Sequence, residues 1–152
     1  MKFYLDTSVF GGLFDKEFEE DTANFFKYVE EINAEVFYSN VTIRELEGAP
    51  NKVKDLIKQL EEDGKIKITR INTNDEVETL AKNYIQEGAL TQKCEEDARH
   101  IALASIYGGI NALVSWNFKH MVNFIRIQQY NYINIKLNYK SIDIRTPKET
   151  IP

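Results

Sequence analysis

Phe3-Tyr4-Leu5-Asp6-Thr7-Ser8-Val9-Phe10 is the stretch on which the reading of this chain turns. A short apolar run ends on a carboxylate, two hydroxyl residues follow, and apolar residues resume before Gly11-Gly12. An apolar run of this length reads as a buried strand. Thr7 and Ser8 are residue types that cap a following helix. Asp6 then stands where a strand hands over to a helix. In open α/β sheets the ligand crevice lies outside the carboxyl ends of the strands. Asp6 is therefore expected to found an acidic site there, with later segments delivering its companions.

The rest of the chain alternates in the same way. Asp21 can cap a helix whose Ala23, Phe25, Phe26, Val29 and Ile32 fall at helical spacing. Val36 to Ser39 reads as a second strand, followed by a short helix through Thr42, Ile43 and Leu46 that Gly48-Ala49-Pro50 stops. Val53, Leu56, Ile57 and Leu60 mark another helix, with Gly64 as its stop. Alternation from Lys65 to Ile71 suggests a strand with a polar face. Two helices follow, one opened by Asn74-Asp75 and ending near Gly88, the other from Glu95 to Tyr107. Ala112 to Ser115 is the next strand, a helix from about Lys119 to Tyr132 comes after it, and Ile142 to Arg145 closes the series. Short strands alternating with helices define an α/β fold with a parallel sheet covered on both faces. Neither repeat nor linker interrupts it, so residues 1–152 are read as a single domain.

Composition narrows the class. An apolar fraction of 43% excludes a disordered chain. Cys94 is the only cysteine, so no internal disulfide is possible and a reducing, cytoplasmic setting is expected. Lys2, Asp6 and Asp15 rule out a secretory apolar core at the start. The net charge of −5 is unevenly spread: residues 1–116 hold 13 Lys/Arg against 22 Asp/Glu, whereas residues 117–152 hold 6 against 2.

Four oxygen-bearing side chains fall near strand ends or on adjoining helix turns. Asp6 ends the first strand, Glu45 lies on the short helix after the second, Asp97 lies in the first turn of its helix, and Asn117 follows the Ala112 strand. These four can converge on one rim. Carboxylates held a few ångströms apart repel and would protonate unless a cation lay between them. Oxygen-only donors suit Mg²⁺ or Mn²⁺. No Cys/His spacing offers a zinc site, and Cys94 is expected to be inert.

Leu5-Asp6-Thr7-Ser8-Val9, Ser39-Asn40-Val41-Thr42-Ile43-Arg44-Glu45-Leu46, Asp97-Ala98-Arg99-His100-Ile101-Ala102-Leu103-Ala104 and Leu113-Val114-Ser115-Trp116-Asn117-Phe118 resemble, in order and spacing, the motifs of the PIN-domain nucleases, VapC-like toxin ribonucleases among them. The resemblance runs from Met1 to about Phe118, and the tail through Ile144-Arg145-Thr146-Pro147 looks like the end of one subgroup. It implies a PIN-like three-layer α/β/α fold with a central parallel sheet of about five strands. It also implies a metal-dependent endoribonuclease acting on single-stranded RNA, in many small members the toxin of a toxin–antitoxin pair. By position, Asp6, Glu45 and Asp97 would be the acidic metal ligands and catalytic residues, with Asn117 as the fourth, uncharged member of both sets. Ser115 and Asn117 fall on a hydroxyl-x-acid motif. An antitoxin and a second copy of the chain are the expected partners.

Asn117 departs from the commoner acidic pattern, leaving a carbonyl donor and one charge fewer. Some family members carry Asn there. Thr7 and Ser8, with Ser115, are expected to support the ligands through hydrogen bonds. His100, one turn after Asp97, reads as a packed, hydrogen-bonded histidine. Trp116 and Phe118 read as core beside the strand rather than as base-stacking groups. Lys119, His120 and Arg126, from a basic tail that also holds Lys136, Lys140, Arg145 and Lys148, are the candidates for gripping the RNA backbone.

Other classes fit less well. An aspartate-nucleophile phosphatase wants a second acid two residues after Asp6, where Ser8 stands. A receiver domain wants an acidic pair and a further Asp after a middle strand. A dinucleotide-binding domain wants G-x-G-x-x-G, which is missing. A non-catalytic PIN-fold module that binds RNA or protein is the remaining alternative.

Overall fold

The computed structural model describes Met1–Pro152. Five strands form its central sheet: β1 (Lys2–Leu5), β2 (Glu35–Ser39), β3 (Lys67–Ile71), β4 (Ala112–Val114) and β5 (Ile144–Arg145). Their spatial order is β3-β2-β1-β4-β5, and every neighbouring pair is parallel. The PIN-like three-layer arrangement expected from the sequence is the one found.

Eight helices cover the sheet: α1 (Thr7–Gly12), α2 (Glu19–Glu31), α3 (Asn40–Leu46), α4 (Asn51–Asp63), α5 (Asp75–Gln86), α6 (Glu95–Ile106), α7 (Phe124–Lys136) and α8 (Pro147–Thr150). Strand residues alternate between the two faces. Phe3 and Leu5 of β1 join Phe25, Val29 and Leu56 on one face. Tyr4 joins Leu80, Ile101, Leu103 and Ile133 on the other. Burial on both faces explains why β1 and β4 carry apolar residues almost throughout. Edge strand β3 leaves Lys67 and Arg70 exposed.

The chain winds from β1 through β2 to β3, then returns to the other side of β1 for β4 and β5. That reversal beside β1 places a crevice at the carboxyl ends of β1, β2 and β4. Asp6, Ser39 and Ser115 immediately follow or end those strands.

Local chemistry sets several helix ends. Ser39 caps α3, Asn74 caps α5, and Gly64 in the left-handed region stops α4. Four expectations need correction. Asp21 does not cap α2: the helix starts at Glu19 with Phe18 in the cap position, and Asp21 lies inside the first turn. Thr7 and Ser8 do not cap α1: Asp6 takes the N-cap position without a side-chain cap bond, and both hydroxyls point elsewhere. The helix expected from Lys119 to Tyr132 begins only at Phe124, because Asn117 turns the preceding backbone and Asn123 supplies the cap to Arg126 N at 3.2 Å. Helix α8 was not expected. It spans only four residues, too few for a periodic signal, yet Thr146 and Glu149 form a capping box around Pro147.

The Asn- and Tyr-rich tail has a packing role. Fully buried Asn134 of α7 donates to Ser105 Oγ at 2.9 Å and accepts from Tyr84 Oη at 2.5 Å. This pins α7 across α5 and α6. No helix is long and apolar enough to cross a membrane.

Candidate functional site

Asp6 is buried where β1 ends, and only 5% of its surface is exposed. Its Oδ2 accepts from Ser8 Oγ at 2.6 Å and from Ser115 Oγ at 2.8 Å. Ser8 Oγ in turn accepts the Trp116 backbone N–H at 2.9 Å. Ser115 Oγ accepts the Asn117 N–H at 2.9 Å. These serines lock one carboxylate oxygen and leave Oδ1 facing the crevice, 3.5 Å from His100 Nε2.

Glu45 enters from α3, one and a half turns beyond the Ser39 cap. Its Oε1 accepts from Thr7 Oγ1 at 2.7 Å and lies 2.5 Å from His100 Nε2. Burial pushes the Glu45 carboxyl up. The His100 hydrogen bond and charge, with Thr7 and Arg44, outweigh that and hold it below its ordinary value. His100 is fully buried on α6, and its Nδ1 lies 2.6 Å from Tyr4 Oη, which lies 2.8 Å from Ser39 Oγ. Burial pulls its pKa down, yet Glu45, Asp6 and Asp97 together raise it. As imidazolium, His100 donates from Nε2 to Glu45 and from Nδ1 to Tyr4. Burial raises the Tyr4 phenol far above its usual range, so it remains neutral.

Asp97, half-buried in the first turn of α6, accepts no hydrogen bond from the protein. Its neighbours are otherwise engaged: Glu96 pairs with Arg44 and Arg99, and Glu95 with Arg99. Burial, then the charge of Asp6, push the Asp97 carboxyl up to about 6, with His100 opposing and Glu45 adding to the rise. Asp6, Glu45 and Asp97 thus share one electrostatic neighbourhood. Ligand atoms of Asp6, Glu45 and His100 all lie within 4.8 Å of one another. Mutual repulsion among hard oxygen donors is the condition a divalent cation relieves. Asp6 and Glu45, with Asp97 beside them, are groups that could hold a divalent cation.

Asn117 is placed differently from its expected use as an oxygen donor. Its Oδ1 accepts the backbone N–H of Lys119 at 3.1 Å and of His120 at 3.0 Å. A carbonyl oxygen has two lone pairs, and both are engaged in this turn. Trp116 is core as expected, stacking on Phe18 at 4.4 Å, whereas Phe118 is half exposed.

The basic tail is largely committed to its own partners. Arg126 donates to Ala89 O, Lys140 to Ile110 O, Lys136 pairs with Glu87, Arg145 with Asp143, and Lys148 lies 3.8 Å from Asp21. Lys119 is exposed and its ammonium is unpaired. His120 faces Cys94, with Nε2 3.5 Å from Sγ. Spacing along the chain offered no Cys/His pair, but folding makes one from residues on two segments. Tyr4 and Ser39 were also missed as members of the network, because in sequence they read only as strand residues.

No family model matches the sequence, and no curated protein matches it either. In fold, the chain is similar to a chain of the VapBC2 complex from Rickettsia felis, crystallised with a DNA fragment from its promoter, at TM-score 0.56 and 14% identity, covering 96% of this chain and 98% of that one. It is likewise similar to a chain of FitAcB from Neisseria gonorrhoeae, at TM-score 0.56 and 13% identity, covering 95% and 97%. At such identities the likeness is one of fold over the full length.

Proposed function

We propose that this protein is a divalent-cation-dependent endoribonuclease that hydrolyses phosphodiester bonds in single-stranded RNA, and that it serves as the toxin of a toxin–antitoxin pair. The observation that supports the catalytic reading is that Asp6 and Glu45, from separated segments, bring ligand atoms within 4.8 Å of one another and of His100, and that the charges of both are felt at Asp97. Asp6, Glu45 and Asp97 would hold the cation, Mg²⁺ or Mn²⁺. Once bound, such a cation polarises a phosphoryl oxygen and makes a water nucleophilic at neutral pH. Ser8 and Ser115 aim Asp6, while Thr7 and His100 aim Glu45. An antitoxin partner is supported by the fold shared with chains of the VapBC2 and FitAcB complexes. A homodimer stays part of the proposal.

Incubating the purified protein with a mixed RNA pool and Mn²⁺, with and without EDTA, tests the activity. Cleavage that EDTA abolishes is expected. Intact RNA under both conditions would favour a second reading, a PIN-fold module that binds without cutting. The engagement of Asn117 Oδ1 by two backbone amides is what speaks for that alternative.

Asn117 gives a direct measurement. A carboxylate satisfies the same turn, so Asn117→Asp should fold normally and bring one more negative charge to the crevice. A carboxylate about 8 Å from a divalent cation across solvent-like dielectric contributes about 1 kcal/mol, so Mn²⁺ affinity should rise about fivefold. Equal affinities by calorimetry would leave position 117 a turn residue only.

Substrate grip now rests on fewer residues than the tail's composition suggests. Lys119→Glu should reduce the salt slope of single-stranded RNA binding by about 0.7, the value for one phosphate contact. An unchanged slope would remove Lys119 from the RNA path.

A further inference from the structure

Beside the acidic crevice lies a second cluster of different chemistry. Ligand atoms of Cys94, Asp97 and His120 all fall within 4.8 Å of one another. Cys94 and Asp97 sit one turn apart at the start of α6, and His120 arrives from the turn that Asn117 holds. All three are half-buried, so an ion can reach them.

We propose that Cys94, Asp97 and His120 form a binding site for a thiophilic divalent ion, Zn²⁺ above all. Thiolate, imidazole and carboxylate are the three donor types that zinc takes, commonly three from protein with a fourth position open. With Zn–S of about 2.3 Å and Zn–N of about 2.0 Å, tetrahedral geometry sets sulfur and nitrogen about 3.5 Å apart. The observed separation of Cys94 Sγ and His120 Nε2 is 3.5 Å. Thiolate and carboxylate together balance the ion's two charges.

His120 is available for this role in a way that His100 is not. Both ring nitrogens of His100 are already engaged by Tyr4 and Glu45. The only hydrogen-bond partner of the His120 ring is the Cys94 sulfur, which it meets through Nε2. Mg²⁺ and Mn²⁺ prefer oxygen, so the two clusters sort ions by softness. Asp97 belongs to both. Zinc held here therefore draws Asp97 away from the acidic crevice, and this consequence, unlike the zinc site itself, rests on the proposed function.

Co²⁺ serves as a visible substitute for zinc. Titrating the full-length protein with Co²⁺ should develop thiolate-to-metal charge-transfer absorption, which one equivalent of Zn²⁺ abolishes. Cys94→Ser should lose that absorption and weaken Zn²⁺ binding at least tenfold by calorimetry, while Mn²⁺ binding stays at the wild-type level. His120→Gln should weaken Zn²⁺ similarly while circular dichroism confirms the fold. Cobalt binding without the charge-transfer band, or equal Zn²⁺ affinity in wild type and Cys94→Ser, would overturn the site. Those readouts do not depend on RNA cleavage. If the site stands but zinc leaves Mn²⁺ affinity unchanged, only the coupling through Asp97 fails.

Discussion

Asp97→Asn is expected to abolish Mn²⁺-dependent RNA cleavage and, at the same time, to stabilise the metal-free protein. A cation contributes several kcal/mol of charge stabilisation to such a reaction, so loss of a ligand carboxylate should cost on the order of 10³-fold in rate. Asp6→Asn should lose as much. The stability effect has a definite pH window. Asp97 has its folded pKa raised to about 6 from an ordinary 3.8. A raised carboxyl pKa means that the ionised form is the strained one. The penalty is absent below about pH 4, grows between about pH 4 and 6, and is constant above. Asn removes it. After discounting for solvent around a half-buried group, the variant should gain about 1–2 kcal/mol at pH 7.5 and little at pH 4. Urea unfolding in EDTA at both values measures this. Wild-type cleavage, or a gain equal at the two pH values, would contradict the role given to Asp97.

The second large effect concerns Gly12, at the end of α1. A Cβ built there meets Thr22 Oγ1 at 2.7 Å and the Trp116 ring at 2.8 and 2.9 Å. Those two side chains are buried and joined by the Trp116 Nε1–H bond to Thr22 Oγ1 at 2.9 Å. A methyl group must push them apart, overpacking the site and leaving a donor and an acceptor unpaired. Gly12→Ala should therefore destabilise the fold by about 2–4 kcal/mol, despite the helix preference for alanine. Because the Trp116 N–H is held by Ser8, the displacement should also loosen Asp6 and lower Mn²⁺ affinity. Denaturant unfolding and calorimetry provide the two readings. Neutral stability would mean that the indole moves aside at no cost.

Much of this arrangement was legible from residue order. Apolar runs at Phe3–Leu5, Val36–Tyr38 and Ala112–Val114 name strands buried on both faces, and stripes such as Val77, Leu80, Ala81 and Tyr84 name the helices between them. Those signals are local, since burial imposes the period of each element on its own sequence. Asp6 could be placed at the crevice from the order of elements alone, because a parallel sheet delivers its strand ends to the same edge, whereas the choice of Glu45 and Asp97 leaned on the resemblance of their motifs.

Side-chain direction was not legible. Thr7 and Ser8 read both as helix caps and as supports of the acidic residues; only the second role is found, Thr7 on Glu45 and Ser8 on Asp6, because the capping position falls on Asp6 itself. Nothing in the order of residues told that Asn117 would spend its oxygen on Lys119 and His120, delaying α7 to Phe124. Nor could spacing pair Cys94 with His120, or join Tyr4 and Ser39 to His100. Such contacts link residues far apart in the chain, and they depend on backbone placement to within an ångström. The sequence by itself determined the alternation of strands and helices, hence the layers, and the place of Asp6 at the end of the first strand. Only the tertiary structure decided which oxygens face that crevice, which are locked by serines, and which cations of the tail are already paired, because each is settled by the competition of neighbours that only folding assembles.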